Sequence, residues 1–434
     1  MGTWKLVDKP HNVVPIANKF VLAKKRDREG NIIKYKARLV AKGCAQRPGY
    51  DYFETHSPVV RMETIRAILA IAPTKKLHIQ QLDVKGAYLN GVLKERVYMR
   101  QPEGHEDRTG RVCLLIKTLY GLKQAGREWN KELDAKLRKK GYSCLQSDPC
   151  VYLWRMDEDF IIITVWVDDM LTFTTTVALK LKAKQDIESE WEITDLGTPT
   201  KIVGIELTIS PDAIFISSHK YIETILKREF EGLGPGRTNS VTTPLDLNVT
   251  LVPNPEGKDG DRSNAYASLL GELQYIANAT RPDIAYAVNR LAAYTANPSL
   301  QHQTALKRIL RYLSGTRTLG ITYKALPDRP DFFSGYADAS YGNTDGHCSI
   351  TSYVFLASNG AITWSSKKQI STTISLTHAE YIALSEAARE ACWLRNLYME
   401  LGLLKQDAPT LIRGDNDGSI AMANNPVFHK RTKH

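Results

Sequence analysis

Residues Phe160 to Phe173 read Phe-Ile-Ile-Ile-Thr-Val-Trp-Val-Asp-Asp-Met-Leu-Thr-Phe, an apolar, β-branched run broken by two adjacent acids. The pattern predicts strand, tight turn and strand, with Asp168 and Asp169 held at the turn. Two like charges side by side on buried strands repel and lose hydration unless something positive sits against them, and a divalent cation is the usual answer. Taken alone, the stretch is equally a solvated acidic turn in a surface hairpin. Upstream, His78 to Gly91 again places an acid, Asp83, at the end of a short apolar run. A third carboxylate from a separate strand offers enough hard oxygen ligands for two Mg²⁺ ions, about 3.5–4 Å apart in such sites. Asp83 and Asp168 are the expected ligands and Asp169 their support.

The pattern elsewhere alternates between the two periods. Thr3 to Gly49 reads as short basic strands, with Phe20–Ala23 and Ala37–Val40 flanking a hairpin turn at Asp27–Asn31. Met62 to Ala72 has helical spacing and is expected to pack under the sheet that carries the acids. Lys201–Ile209 and Ile214–Ser217 read as a hairpin turning at Pro211-Asp212-Ala213, and His219 to Phe230 begins a helix. Gly232 to Asp261, rich in Gly, Pro, Asn and Asp, reads as a linker. Tyr266 to Tyr312 is helical; Arg308 and Arg311 there either track nucleic acid or form a solvated face. From about Asp331, strands carry Asp338 and Asp415, and a helix opening at His378 carries Glu380.

Composition narrows the partners. The 434 residues suffice for two to four domains, and the net charge of +11 suits a polyanion. Lysine and arginine are spread along the chain, which favours a long cleft over a single patch. The six cysteines show neither a Cys-x-x-Cys pair nor zinc-like spacing with histidine, so reduced intracellular thiols are expected, without a zinc site. No apolar run is long enough for a membrane span and the first residues lack a signal-peptide core, so no membrane partner is expected.

Trp166-Val167-Asp168-Asp169-Met170-Leu171 resembles the Y-V-D-D-M-L box of the reverse transcriptases of copia-type LTR retrotransposons. Asp83 to Gly91 resembles that family's D-V-K-T-A-F-L-N-G box, Tyr35 to Gly43 its Y-K-A-R-L-V-A-K-G box, and Leu119 to Trp129 its L-Y-G-L-K-Q-A-P-R-x-W segment. Trp166, Gly86 and Gly126 depart from the family's Tyr, Thr and Pro. The resemblance implies an RNA-directed DNA polymerase that extends a primer with dNTPs and two Mg²⁺ ions. Its partners would be an RNA template, a DNA primer and the RNA–DNA hybrid. It implies that Lys36 and Arg38 grip the triphosphate, that Tyr88 excludes a ribose 2′-hydroxyl, that Gln124 floors the nucleotide pocket, and that Val203, Gly204 and Ile205 belong to the primer grip.

The order Asp338, Glu380, Asp415 on strand, helix and strand is that of a ribonuclease H fold, which cuts RNA in a hybrid with metal ions, so these three are also expected metal ligands. The family continues past His434 into an Asp that is its fourth ligand, so weak or absent nuclease activity is expected. No protease or integrase segment is visible. The expected fold is α+β: a right-hand polymerase with fingers and palm over 1–218 and thumb and linker over 219–262. A helical connection over 263–330 and an α/β ribonuclease H-like domain over 331–434, truncated at its C-terminus, follow. The resemblance places the protein in the cytoplasm, in virus-like particles, or in the nucleus. A degenerate retroelement fragment that binds nucleic acid without catalysis is the alternative, and a nuclease alone ranks third.

Overall fold

The β-branched run around the paired aspartates forms the middle of a six-stranded antiparallel sheet. This is seen in a computed structural model that describes residues 2–26, 31–232, 238–246, 248–255, 264–326, 332–342, 348–370, 372–373, 375–406 and 409–425. The turn at Asp27–Gly30, part of the linker expected from Gly232, and the terminal His429–His434 lie outside the described residues. Contacts divide the chain into two units, Met1–Val60 with His78–Thr198, and Arg61–Leu77 with Pro199–His434.

In the first unit, β1 (Trp4–Val7), β5 (Tyr98–Met99) and β6 (Val112–Leu115) form a small sheet, and β2 (Asn18–Arg26) pairs with β3 (Ile32–Ala41) as a hairpin. The large sheet runs in the order β11 (Ile193–Gly197), β4 (His78–Val84), β10 (Asp169–Thr174), β9 (Asp159–Trp166), β8 (Val151–Met156) and β7 (Ser143–Cys144). One face presents Leu82, Val84, Ile161, Ile163, Val165 and Met170. Against it pack Trp129, Leu133 and Leu137 of α2 (Ala125–Lys139) and Leu179, Ala183 and Ile187 of α3 (Val177–Glu188). The four-residue spacing of those side chains is why both segments are helices with one buried stripe. Thr176 caps α3, its hydroxyl accepting from the Leu179 amide at 3.2 Å.

In the second unit, β12 (Lys201–Ile202), β13 (Ile205–Ile209), β14 (Ala213–Ser217) and β15 (Ile321–Lys324) form one antiparallel sheet. The run 201–209, read as one strand, is itself a hairpin. Ile202 pairs with Ile205, and Val203 and Gly204, both with positive φ, make its two-residue turn. Helices α4 (His219–Phe230), α5 (Ala265–Ala279), α6 (Ala285–Ala292) and α7 (Leu300–Gly315) share a core that includes Ile222, Leu226, Leu273, Ile276, Leu291 and Ile309. One core thus joins α4 to α5, α6 and α7. Arg308 and Arg311 bind protein rather than stand free: Arg308 donates to Thr243 Oγ1 at 3.0 Å and Arg311 to the Asn239 carbonyl at 2.7 Å.

The last sheet runs β18 (Gly360–Lys368), β17 (Ile350–Ala357), β16 (Ser334–Ser340) and β19 (Leu411–Arg413), with β19 parallel to β16. Helix α8 (Leu376–Glu400) approaches β16 closely because Ala379 and Ala383 meet Ala339. A short helix, α9 (Asp417–Asn424), follows β19.

Helix α1 (Met62–Ile71), for which the sequence pattern suggested the aspartate-bearing sheet, is grouped by its contacts with the second unit, where it lies against β15, β17 and β18. Arg66 explains the attachment. Its guanidinium, on a side chain 1% exposed, donates to the carbonyls of Ile362 at 2.7 Å, Ala279 at 3.1 Å and Asn278, and lies 3.9 Å from the centre of the Trp364 ring. Ile65, Ala67, Ile68, Leu69 and Ala70 are also buried, so the helix is apolar on nearly every side. Hydrophobic spacing could not say which sheet it would meet.

Candidate active site

Asp83 is the penultimate residue of β4 and Asp169 the first of β10, and the two are cross-strand partners in direct register. Between Trp166 and Asp169 the chain reverses in two residues, Val167 and Asp168. Val167 takes φ 59°, a left-handed conformation costly for a β-branched residue. The indole of Trp129 holds it there, donating to the Val167 carbonyl at 2.8 Å. The Val84 amide donates to the Asp168 carbonyl at 2.8 Å, which ties the acidic turn to the end of β4. Burial, the Asp168 charge and the Asp83 charge push the Asp169 carboxyl above its usual range, opposed by a 3.4 Å hydrogen bond from Gln81. That electrostatic cost is the signature of a site that favours a cation.

An aromatic bridge leads away from this turn. The phenols of Tyr88 and Tyr120 are pushed up by burial and by the charge of Asp168. Their rings meet edge to face at 5.2 Å, and the Arg38 guanidinium lies 5.5 Å from the Tyr120 ring centre. Lys36 is on the same face of β3 as Arg38, two residues back, and both are half-buried. Tyr88 sits in a 3₁₀ turn, Ala87–Asn90, entered through Gly86 at φ 63°. Glycine adopts that conformation without penalty, which accounts for its presence where the copia-type box has Thr. Gly126, in place of Pro, sits where an added Cβ would come 2.8 Å from Ser57 Oγ.

Gln124 is enclosed by its neighbours. It is 1% exposed, its amide NH₂ donates to the Asp51 carbonyl at 2.9 Å, and its amide oxygen accepts from Gln46 at 3.0 Å. Through these bonds it braces the 46–51 loop against the start of α2. Tyr120 and Trp129, in the same sequence segment, are the residues that reach the acidic turn.

In the second unit, Asp338 of β16, Glu380 of α8 and Asp415 just beyond β19 each place a carboxylate oxygen within 4.8 Å of the others. Among the described residues this is the group of acids that converges to that degree; Asp83, Asp168 and Asp169 do not form such a group. Glu380 is buried, and burial together with Asp338 and Asp415 raises its carboxyl, against a lowering bond from the Ala339 amide. Three hard oxygen donors in mutual repulsion fit a divalent cation of the Mg²⁺ or Ca²⁺ class. The Val203–Gly204 turn and the buried Ile205 lie in this unit too.

Residues 1–246 match the reverse transcriptase (RNA-dependent DNA polymerase) family. The chain belongs to that family. All of this reverse transcriptase chain aligns at 38% identity with 33% of the Retrovirus-related Pol polyprotein from transposon TNT 1-94 of Nicotiana tabacum. All of it also aligns at 39% identity with 29% of the Pol polyprotein from transposon RE2 of Arabidopsis thaliana. The chain thus spans about a third of the length of these curated relatives, and its copia-type motifs are those of a retrotransposon Pol. A solved structure titled "Structure of the foamy viral protease-reverse transcriptase dRH in complex with ds DNA" is similar over 97% of this chain and 62% of that one, at 12% identity and a TM-score of 0.49. At that score the likeness carries no argument about function.

Within the reverse transcriptase segment, the residues singled out by motif fall into two sets. Asp83, Asp168, Asp169, Tyr88 and Arg38 belong to the first unit and are linked through Tyr120, whereas Val203, Gly204 and Ile205 belong to the second. Trp129, Tyr120 and Gln46 carry positioning roles that the motifs alone did not single out. Trp129 and Tyr120 had a signal available, being large aromatics within a matching box; Gln46 had none.

Proposed function

We propose that this chain catalyses RNA-directed DNA synthesis, extending a DNA primer on an RNA template with dNTPs, in a right-hand polymerase arrangement of fingers, palm and thumb. The observation that carries the reading is the direct register of Asp83 with Asp169, with Asp168 at the intervening strained turn beside the Tyr88–Tyr120–Arg38 bridge. Asp83 and Asp168 would hold Mg²⁺, and Asp169 would support them. Ions held there would supply activation of the primer 3′-hydroxyl and charge neutralisation at the leaving pyrophosphate. Arg38 and Lys36 bind the triphosphate, for which a planar guanidinium fork is suited. Tyr88 fills the space a ribose 2′-hydroxyl would need, and Trp129 keeps the acidic turn in its left-handed form.

The second site, Asp338, Glu380 and Asp415, is proposed to bind divalent ions, its close carboxylates supporting that reading, with weak or absent cleavage of the RNA strand of an RNA–DNA hybrid.

Primer extension on poly(rA)/oligo(dT) with Mg²⁺ tests the main reading, with wild type beside Asp168→Asn. Extension by wild type alone is expected, with duplex binding preserved in the variant. Extension by Asp168→Asn would overturn the metal site. No extension by a folded wild-type chain that still binds the duplex would favour a chain that binds nucleic acid without catalysis.

A further inference from the structure

The two-residue turn between β12 and β13 is an expensive one. Turns with positive φ at both central positions favour Asn-Gly or Gly-Gly, yet the first residue here is Val203 at φ 47°, followed by Gly204 at φ 84°. A β-branched residue in the left-handed region is strained and persists only when its surroundings impose it. The imposing group is Tyr275 of α5. Its hydroxyl donates to the Val203 carbonyl at 2.6 Å, and a Cβ added at Gly204 would come within 2.3 Å of the same oxygen, so the phenol lies directly against the turn.

Tyr275 is itself held in place. Its ring meets the Tyr221 ring of α4 edge to face at 5.5 Å, and it packs against the helical core that contains Leu273 and Ile276. Arg228 of α4 and Glu272, three residues before Tyr275 on α5, form an ion pair at 2.5 Å. The turn is therefore fastened to two helices through one hydroxyl. The same device occurs at the acidic turn, where Val167 is left-handed and Trp129 donates to its carbonyl at 2.8 Å. In both places an aromatic donor holds a strained valine.

We propose that Tyr275 is a positioning residue for the Val203–Gly204 turn, keeping it in the strained form that contacts the primer strand, so that loss of the hydroxyl weakens retention of the primer. This rests on the reading of that turn as a primer contact within a working polymerase.

The test uses the full chain and a poly(rA)/oligo(dT) duplex. Tyr275→Phe keeps the ring and removes the hydroxyl. It is expected to raise the duplex Kd and shorten products made under a competitor trap by about fivefold, the weight of one hydrogen bond, with dNTP KM unchanged. In a Val203→Gly background, where the turn carries no strain, adding Tyr275→Phe is expected to change either quantity less than about 1.5-fold. Unchanged Kd and product length in Tyr275→Phe, a loss confined to dNTP KM, or an equal loss in both backgrounds would each overturn the proposal. Disulfide capture of a thiol-tethered primer terminus by Val203→Cys, compared with the unsubstituted chain, checks the underlying reading separately. Without capture above that background the turn is not a primer contact. With capture but no effect of Tyr275→Phe, only the positioning role fails.

Discussion

Asp83 and Asp169 are direct cross-strand partners on β4 and β10. Like charges directly opposite one another in an antiparallel pair destabilise it. Asp83→Asn is therefore expected to raise the melting temperature slightly in EDTA while abolishing primer extension. Calorimetry with and without Mg²⁺ checks this: the gain should vanish or reverse once the ion is present. A variant less stable than wild type in EDTA would show that the two carboxylates are not in repulsive contact.

The Arg38 guanidinium over Tyr120 has a flat face that an ammonium lacks. Arg38→Lys keeps the charge and is expected to raise dNTP KM about five- to tenfold, the span of a cation–π contact, with duplex affinity unchanged. Steady-state extension over a range of dNTP concentrations reads it. An unchanged KM would remove Arg38 from the nucleotide site.

Arg66 and Arg281 are the largest fully buried side chains among the described residues, and the bonds of Arg66 run to three carbonyls on two other elements. Burial lowers its pKa, with Glu63 opposing. Arg66→Lys cannot reproduce that fork, and Arg66→Met would leave the carbonyls unpaired. Each should cost at least about 2 kcal/mol in urea-induced unfolding. A loss under about 0.5 kcal/mol would mean that the helix is held by its apolar faces alone.

Burial, with Asp338 and Asp415, raises the Glu380 carboxyl, so the folded chain holds its proton more tightly than the unfolded chain does. The stability it contributes is fully present below the ordinary carboxylate range and is lost as pH rises through the raised value. Mg²⁺ should offset that loss, so its stabilising effect should grow between pH 5 and pH 8, reaching about 1.4 kcal/mol at ten times the dissociation constant. Glu380→Gln should raise stability at pH 8 without metal and remove this part of the Mg²⁺ effect. Thermal melts across pH test both, and a pH-independent increment would contradict the site.

Much of this was legible in the chain. The strand–turn–strand at Phe160–Phe173, the helix at His219–Phe230 and the acid order Asp338, Glu380, Asp415 all follow from local periodicity and residue type, which act over a few residues. The hairpin inside 201–209 was not, because its first turn residue is valine where turn chemistry favours asparagine or glycine. The bonds of Gln124 to Gln46 and Asp51 were not legible either, because a polar residue before a helix looks the same in sequence whatever its amide faces.

By itself the sequence determined which residues carry charge, which runs form strands or helices, and that Asp83, Asp168 and Asp169 stand at strand ends. These are properties of each segment's own pattern. Only the tertiary structure decided that α1 joins the second unit, that Tyr120 bridges Arg38 to Tyr88, and that Trp129 and Tyr275 hold the two strained valines. Those choices depend on contacts between residues far apart in the chain, and a hydrophobic pattern records that a face is buried without recording what buries it.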